Sequence, residues 1–252
     1  MFEAYFDLST AAGADALVVA GYIATADQWQ HFDREWKEFL ADENLTFFHM
    51  TDCENRRKEF EGWDENRKLA AIKRAHGIIK CRTNIAISAG IILPDYRAVI
   101  AEAPNVAKEL GSPFFLCVNG CLREIANWIV KYNREGQPIA YVFEEGDEGK
   151  GEIMDMFRKV SANARLKAGC GCESFSFANK RIVTPLQAAD INAYESWKHM
   201  INQITTPTPL RPIRKSMWSL AGHPNQSRYF DREELLGLIK KLRQKHVRDA
   251  SS

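Results

Sequence analysis

Three acidic residues occupy positions from which carboxylates commonly bind metal ions. Asp7 and Glu144 each follow a phenylalanine and close an apolar run, EAYFD and PIAYVFE, while Asp190 lies in QAAD within a helical pattern. Carboxylate oxygens are preferred Mg²⁺ ligands, and two such ions can activate water and stabilise the leaving oxygen of a phosphodiester. Acids at strand ends also often face only solvent. Glu145 is an alternative to Glu144, because strand alternation sends the two side chains to opposite faces.

Other chemistries fit the sequence less well. The segment GDEGKGE does not have the glycine spacing of a phosphate-binding loop, and Gly151 follows Lys150 where a hydroxyl residue is needed. Cys170 and Cys172 form a C-x-C, but a zinc site needs a second pair of ligands that the sequence does not show. The cysteines also lack the nucleophile turn and adjacent base of a cysteine hydrolase.

Alternating strands and helices predict an α/β fold that can place these acids together. Short apolar runs rich in aromatic or β-branched residues read as strands, including TFFHMTD, and longer stretches have helical spacing. The segment TPLQAADINAYESWKHMINQ has Thr184 as its expected cap and Gln187 as a capping-box partner. We therefore predict a mixed sheet flanked by helices.

Four motifs, in this order, resemble the domain-of-unknown-function family 3800. They are YFDLS, FHMTD, VFEEGD and LQAADINAYE, and the resemblance covers roughly residues 2–200. Members of that family are placed in the ribonuclease-H-like superfamily. The resemblance therefore implies a ribonuclease-H-like mixed sheet and phosphodiester chemistry with two Mg²⁺ or Mn²⁺ ions.

The same resemblance assigns roles to individual residues. It implies Asp7, Glu144 and Asp190 as metal ligands, Gln187 as a neighbouring site residue, and His49 as an auxiliary acid/base or phosphate contact. The chain departs from the family in two ways. Leu8 stands where the family usually has an acid, and Glu144 stands where aspartate is common. Either departure is consistent with an altered metal site or, as the alternative function, with a catalytically inactive fold that binds nucleic acid or protein.

Three of the candidate residues also have structural interpretations. His49 closes a short apolar segment, where it can satisfy a backbone carbonyl instead of acting on a substrate. Asp52 is either a fourth carboxylate of the site or the cap of the following turn, and the second interpretation is favoured. For Gln187, the structural interpretation is that it is the capping-box partner of Thr184 and has no role in the site.

Charge is distributed unevenly along the 252 residues. The formal net charge is +1, but residues 207–252 contain ten Lys or Arg against four Asp or Glu. Within this basic segment, Arg211, Arg214 and Lys215 are candidate contacts to a nucleic-acid backbone. A solvated helix face has the same composition.

The sequence thus predicts two parts. Residues 1–204 form the ribonuclease-H-like domain, and residues 205–252 form a basic, proline-containing extension that ends in a helix. No signal peptide or membrane span is recognised, so a cytoplasmic location without membrane contact is expected. The predicted function is a metal-dependent nuclease or related phosphodiester-processing enzyme acting on DNA or RNA. The sequence makes no prediction of oligomeric state.

Overall fold

The predicted alternation of strands and helices is present in a computed structural model of the chain. It describes residues 1–146, 149–205 and 212–249, without the side chains at 107, 108, 205, 245–247 and 249. The strands are β1 (Phe2–Ser9), β2 (Ala16–Thr25), β3 (Ile85–Ile92), β4 (Ile139–Glu144), β5 (Cys172–Ala178) and β6 (Asn225–Phe230). The helices are α1 (Ala26–Glu43), α2 (Met50–Asn55), α3 (Glu65–Arg82), α4 (Leu93–Glu102), α5 (Pro104–Leu110), α6 (Pro113–Lys131), α7 (Lys150–Ala162), α8 (Ala164–Cys170), α9 (Thr184–Thr205), α10 (Lys215–Ser219) and α11 (Arg232–Asp249).

The described strands form one mixed sheet in the order β5-β4-β1-β2-β3-β6. Strands β1, β2 and β3 pair antiparallel; a short turn joins β1 to β2, whereas α1, α2 and α3 lie between β2 and β3 in the chain. Strand β4 pairs parallel to β1, β5 parallel to β4, and β6 parallel to β3. As a result β1 lies inside the sheet, with the ends of β1 and β4 side by side.

The pleat of β1 assigns its residues to two separate cores. Phe2, Ala4 and Phe6 are buried against α4–α8 and α11 on one face. Tyr5 points to the other face, where α1, α2, α3 and α9 pack. Because side chains alternate along a strand, Asp7 shares the face of Tyr5 and points toward α9.

Helix α1 is amphipathic, with one face of aromatic residues. Thr25 caps it by accepting a hydrogen bond from the backbone N–H of Gln28, which satisfies one of the free donors at the helix start. The aromatic residues at helical spacing are all buried against the sheet: Trp29, Phe32, Trp36 and Phe39.

Two local predictions are corrected by the structure. TFFHMTD is not a strand: residues 47–49 are irregular and α2 begins at Met50. The backbone N–H of Phe48 donates to the side chain of Gln187 at 2.8 Å, not to a strand. The segment after residue 204, predicted to be helical and irregular, also supplies β6 at the sheet edge. Its sequence NQSRYF is polar because an edge strand with mixed exposure needs few apolar residues.

Among the described helices, none combines the length and the apolar character needed to cross a membrane.

Candidate functional site

The ends of β1 and β4 place two of the predicted acids next to each other. Phe6 is paired with Phe143 in the parallel register, so Asp7 and Glu144 are the residues that follow in each strand. Both are buried, Asp7 at 3% and Glu144 at 8% exposure. Phe143 belongs to the opposite core, so alternation turns Glu144 to the face of Asp7. Glu145 is exposed and accepts a hydrogen bond from Asn179 at 2.8 Å.

Asp190 reaches the same place from α9. This helix packs on the sheet through Ala188, Ile191 and Tyr194, which are buried in the second core. One carboxylate oxygen of Asp190, Oδ2, accepts a hydrogen bond from the backbone N–H of Met50 at 2.6 Å. The start of α2 therefore fixes the orientation of the carboxylate, and Oδ1 accepts a hydrogen bond from Lys180 Nζ.

Lys180 contacts all three predicted acids. Its Nζ lies 2.6 Å from Asp7 Oδ2 and 3.0 Å from Asp190 Oδ1. Its backbone N–H donates to Glu144 Oε2 at 2.8 Å. The two aspartate oxygens bonded to the ammonium are consequently within two hydrogen-bond lengths of each other. The arrangement brings Asp7, Glu144 and Asp190 together around one residue.

The ion pairs stabilise the charged form of this lysine. Burial alone would lower the pKa of Lys180, but the carboxylates of Asp190 and Asp7 outweigh that effect and raise the pKa above its usual range. An ammonium group that remains protonated beside two carboxylates partly cancels their charge. The cluster therefore contains a cation-sized position between Asp7 and Asp190, and the Lys180 ammonium occupies it.

His49 lies beside the same carboxylates. Its Nδ1 is 2.8 Å from Asp52 Oδ2, and its Nε2 is 3.5 Å from Asp190 Oδ1. A carboxylate at Nδ1 orients an imidazole and directs Nε2 outward. The hydrogen bond to Asp52 and the close approach to Asp190 thus place His49 between two acids, whereas the alternative interpretation paired it with a backbone carbonyl.

Asp52 is a side-chain partner of His49, and the favoured prediction of a turn cap is wrong. It lies in the first turn of α2, where its carboxylate also accepts a hydrogen bond from Lys58 Nζ at 2.9 Å. Burial opposes ionisation of this carboxyl, but the hydrogen bonds from Lys58 and His49 lower its pKa. Asp52 is therefore a charged support for the imidazole.

The side-chain amide of Gln187 links the segments that surround the site through hydrogen bonds. Its Oε1 accepts hydrogen bonds from Trp36 Nε1 and from the backbone N–H of Phe48, both at 2.8 Å. Its Nε2 donates to the carbonyl of Lys180 at 2.8 Å. These contacts replace the predicted capping box with Thr184, whose hydroxyl instead donates to Asp33. Gln187 thereby ties α1, the segment before α2 and the Lys180 loop to α9.

The three basic residues predicted to contact nucleic acid in the C-terminal segment do not share one environment. Arg214 is ion-paired with Glu195 at 3.1 Å and with Glu54 at 2.5 Å, so its guanidinium already has acidic partners. Lys215 is exposed at the start of α10. Arg211 lies outside the described residues.

A cation–aromatic pair lies closer to the acids. The guanidinium of Arg181 is 4.1 Å from the centre of the Phe47 ring, and Phe47 stacks on His49. In the sequence, Lys180 and Arg181 are candidates to offset phosphate charge near Asp190, but they also fit an ordinary charged turn. The FANKRIV sequence signals nothing stronger, because the contacts depend on how the loop after β5 folds against β1 and α9.

The chain was compared with protein-family models, with curated proteins and with solved structures, and no match was found. The chemistry of the site therefore carries the functional argument.

Proposed function

We propose that the protein is a divalent-cation-dependent enzyme that cleaves phosphodiester bonds in nucleic acid. The observation that carries the proposal is the convergence of Asp7, Glu144 and Asp190 on Lys180. These residues come from two strands and a helix far apart in sequence. Their side chains are nevertheless buried together at the carboxyl ends of the adjacent strands β1 and β4, where charge is costly unless it is compensated.

The sheet topology supports the same class. The resemblance to the ribonuclease-H-like superfamily implies a mixed sheet flanked by helices, and the antiparallel β1–β2–β3 unit joined through β1 to the parallel strands β4 and β5 is a sheet of this general kind. Fold alone does not determine function. The acids at the ends of β1 and β4 and on α9 are what connect this topology to phosphodiester chemistry.

The donor chemistry fits one divalent ion. The Lys180 ammonium acts as a stand-in cation between two carboxylate oxygens, which are the ligands that Mg²⁺ and Mn²⁺ prefer. Asp7 and Asp190 would hold the ion, and Glu144 is the nearest further carboxylate of the predicted set. In the described chain, no three His, Cys, Asp or Glu side chains are already arranged as a metal site. The second ion implied by the resemblance stays a prediction.

The bound ion would supply the electrophilic chemistry, activating water and stabilising the leaving oxygen. The protein's own groups would position the substrate and move protons. Asp52 fixes His49 so that Nε2 faces the carboxylates, which suits a proton donor to the leaving oxygen or a contact to phosphate. Lys180, displaced from between the aspartates, would remain available to a phosphate oxygen.

Nucleic acid is the substrate class that the surroundings favour. Arg181 is exposed and lies over Phe47 next to His49. The Lys58 side chain is also largely exposed, at 62%. Phosphate contacts commonly come from Arg and Lys, and exposed aromatic–cation pairs suit single-stranded bases and backbone.

A second candidate function is a non-catalytic binding module. Lys180 already compensates Asp7 and Asp190, so the cluster can be stable without any metal. In that case the carboxylates and Lys180 maintain the fold, and the basic residues around them bind a polyanion.

The test is cleavage of labelled single-stranded and double-stranded DNA and RNA with MnCl₂, MgCl₂ or EDTA. We expect metal-dependent cleavage by the wild type and a loss of at least about a hundredfold in Asp7→Asn, since even residues that only support metal ligands contribute tenfold to a hundredfold. Asp155→Asn, in an exposed pair on α7, is the matched control and should retain activity. Nucleic-acid binding without cleavage under every metal condition would favour the binding module.

A further inference from the structure

A cavity lies on the opposite side of α9 from the acid cluster formed by Asp7, Glu144, Asp190 and Lys180. It has a volume of about 250 Å³ and is bounded by α9, α10 and the strands β3 and β6. Asn192, Ser196 and His199 of α9 line it, at the spacing of one helix face. Asp190 precedes Asn192 by two residues, roughly 200° around the helix. The cavity is therefore a site of its own.

Inside the cavity, Tyr22 presents a buried hydroxyl without a partner. The residue is 1% exposed, and its oxygen makes no hydrogen bond in the described structure. Leaving a buried hydroxyl unsatisfied is unfavourable, so such a group in a functional protein calls for a ligand or water. Burial, with a smaller contribution from the charge of Glu195, raises the pKa of Tyr22. The hydroxyl consequently keeps its proton and can donate.

The remaining lining is mostly apolar, with a few polar groups from serine, asparagine and histidine side chains. The Ser88 hydroxyl donates to Ser227 across β3 and β6 at 2.9 Å. Among the described residues that line the cavity there is no Lys or Arg, and Glu195 is paired with Arg214. Such a lining favours an uncharged ligand with hydrogen-bonding edges over a phosphate or carboxylate.

Aromatic side chains lie at the opening. Trp218 and Tyr229 line the cavity and yet are 61% and 41% exposed. Their π-faces are suited to stacking on a planar ring. A cavity of about 150 Å³ accommodates benzene, so the larger volume here has room for a fused bicyclic ring.

We propose that this cavity binds an uncharged bicyclic heteroaromatic compound of the purine-base class. Tyr22 donates a hydrogen bond to a ring nitrogen, Trp218 stacks on the ring, and the serine hydroxyls of β3 and β6 lie within the same cavity. The proposal does not depend on phosphodiester cleavage, because it uses none of the residues of the acid cluster.

The test is calorimetric titration of the full chain with adenine and hypoxanthine, with indole as a control that has no acceptor nitrogen in its ring. We expect saturable purine binding and weaker indole binding. Tyr22→Phe should weaken adenine binding about tenfold, the contribution of one hydrogen bond. Trp218→Ala should also weaken it, whereas Tyr132→Ala, at an exposed aromatic residue outside the cavity, should not.

Thermal unfolding distinguishes lost recognition from damaged folding. Because the Tyr22 hydroxyl has no protein partner, Tyr22→Phe should unfold at or above the wild-type temperature. The proposal is overturned if neither purine binds up to its solubility limit, or if Tyr22→Phe and Trp218→Ala bind adenine like the wild type. Equal binding of indole and adenine, or tighter binding of adenosine monophosphate than of adenine, would also contradict it.

Discussion

Replacing Lys180 with methionine tests the ion-pair cluster at its centre. The substitution keeps an unbranched side chain but removes the ammonium that Asp7 and Asp190 share. The carboxylates are 2% and 9% exposed, so water compensates them poorly. Removing one partner of a buried ion pair commonly costs about 3–5 kcal/mol. Backbone N–H groups still donate to both aspartates, and we therefore expect a loss of about 3 kcal/mol.

The pH dependence of this loss has a definite sign. Without the ammonium, the two neighbouring carboxylates repel each other in the folded variant, and a bound proton relieves that repulsion. A proton then binds more tightly to the folded variant, so acid stabilises it relative to the wild type. The stability difference between Lys180→Met and the wild type should be largest near pH 8 and smaller at pH 5.

Manganese should replace the missing charge. A ligand at a hundred times its dissociation constant stabilises the folded state by about 2.7 kcal/mol. Saturating MnCl₂ should therefore restore most of the lost stability in Lys180→Met. Asp7→Asn in the same background should abolish this recovery, because it removes one of the two carboxylates.

The assay is urea unfolding followed by tryptophan fluorescence, with and without MnCl₂. The matched control is Lys37→Met, which removes an exposed ion pair with Asp33 at 2.7 Å and should change stability by less than about 1 kcal/mol. A Lys180→Met variant as stable as this control would refute the reasoning about the buried ion pairs. A destabilised variant that manganese does not rescue would refute the cation site.

Three further predictions concern the scaffold. Gln187→Met leaves three hydrogen-bonding groups unsatisfied and should lower the free energy of unfolding by at least about 3 kcal/mol in urea titrations, unlike exposed Gln30→Met. Gly21→Ala places a Cβ in overlap with the carbonyl oxygen of Tyr5 in β1 and should lower the free energy of unfolding by at least about 2 kcal/mol, and an unchanged melting temperature would contradict that contact. Burial lowers the pKa of His76 and of His223 to about 4, so the unfolded chain takes up protons first and stability falls below pH 6.5. At pH 5 the loss should be about 2 kcal/mol for each histidine, and urea unfolding of His76→Leu should show a shallower pH dependence.

The strand pattern was sufficient to place two of the acids. EAYFD and PIAYVFE read as apolar strands, and the pleat sends Asp7 and Glu144 to one face of the sheet. The sequence alone left Glu144 and Glu145 as alternatives. Once Phe143 is known to be buried in the opposite core, alternation assigns Glu144 to the face of Asp7. Helical spacing likewise predicted α9 and hence the position of Asp190 within it.

Long-range contacts were beyond the reach of sequence patterns. Lys180 is in an ordinary polar turn by composition, and only the tertiary packing brings its ammonium between Asp7 and Asp190. Gln187 has the spacing of a capping box, but the indole of Trp36 and the backbone of Phe48 compete successfully for its amide. Local propensity cannot register partners more than a hundred residues away.

The proposed function requires that the position between Asp7 and Asp190 accept a metal ion. The most direct measurement is anomalous diffraction from manganese-soaked crystals of the wild type and of Lys180→Met. We predict a manganese peak bonded to both aspartates, stronger in the variant because no ammonium competes with the ion. A map of Lys180→Met without a manganese peak, in which Asp7 and Asp190 have turned to other protein donors, would contradict the proposed metal site.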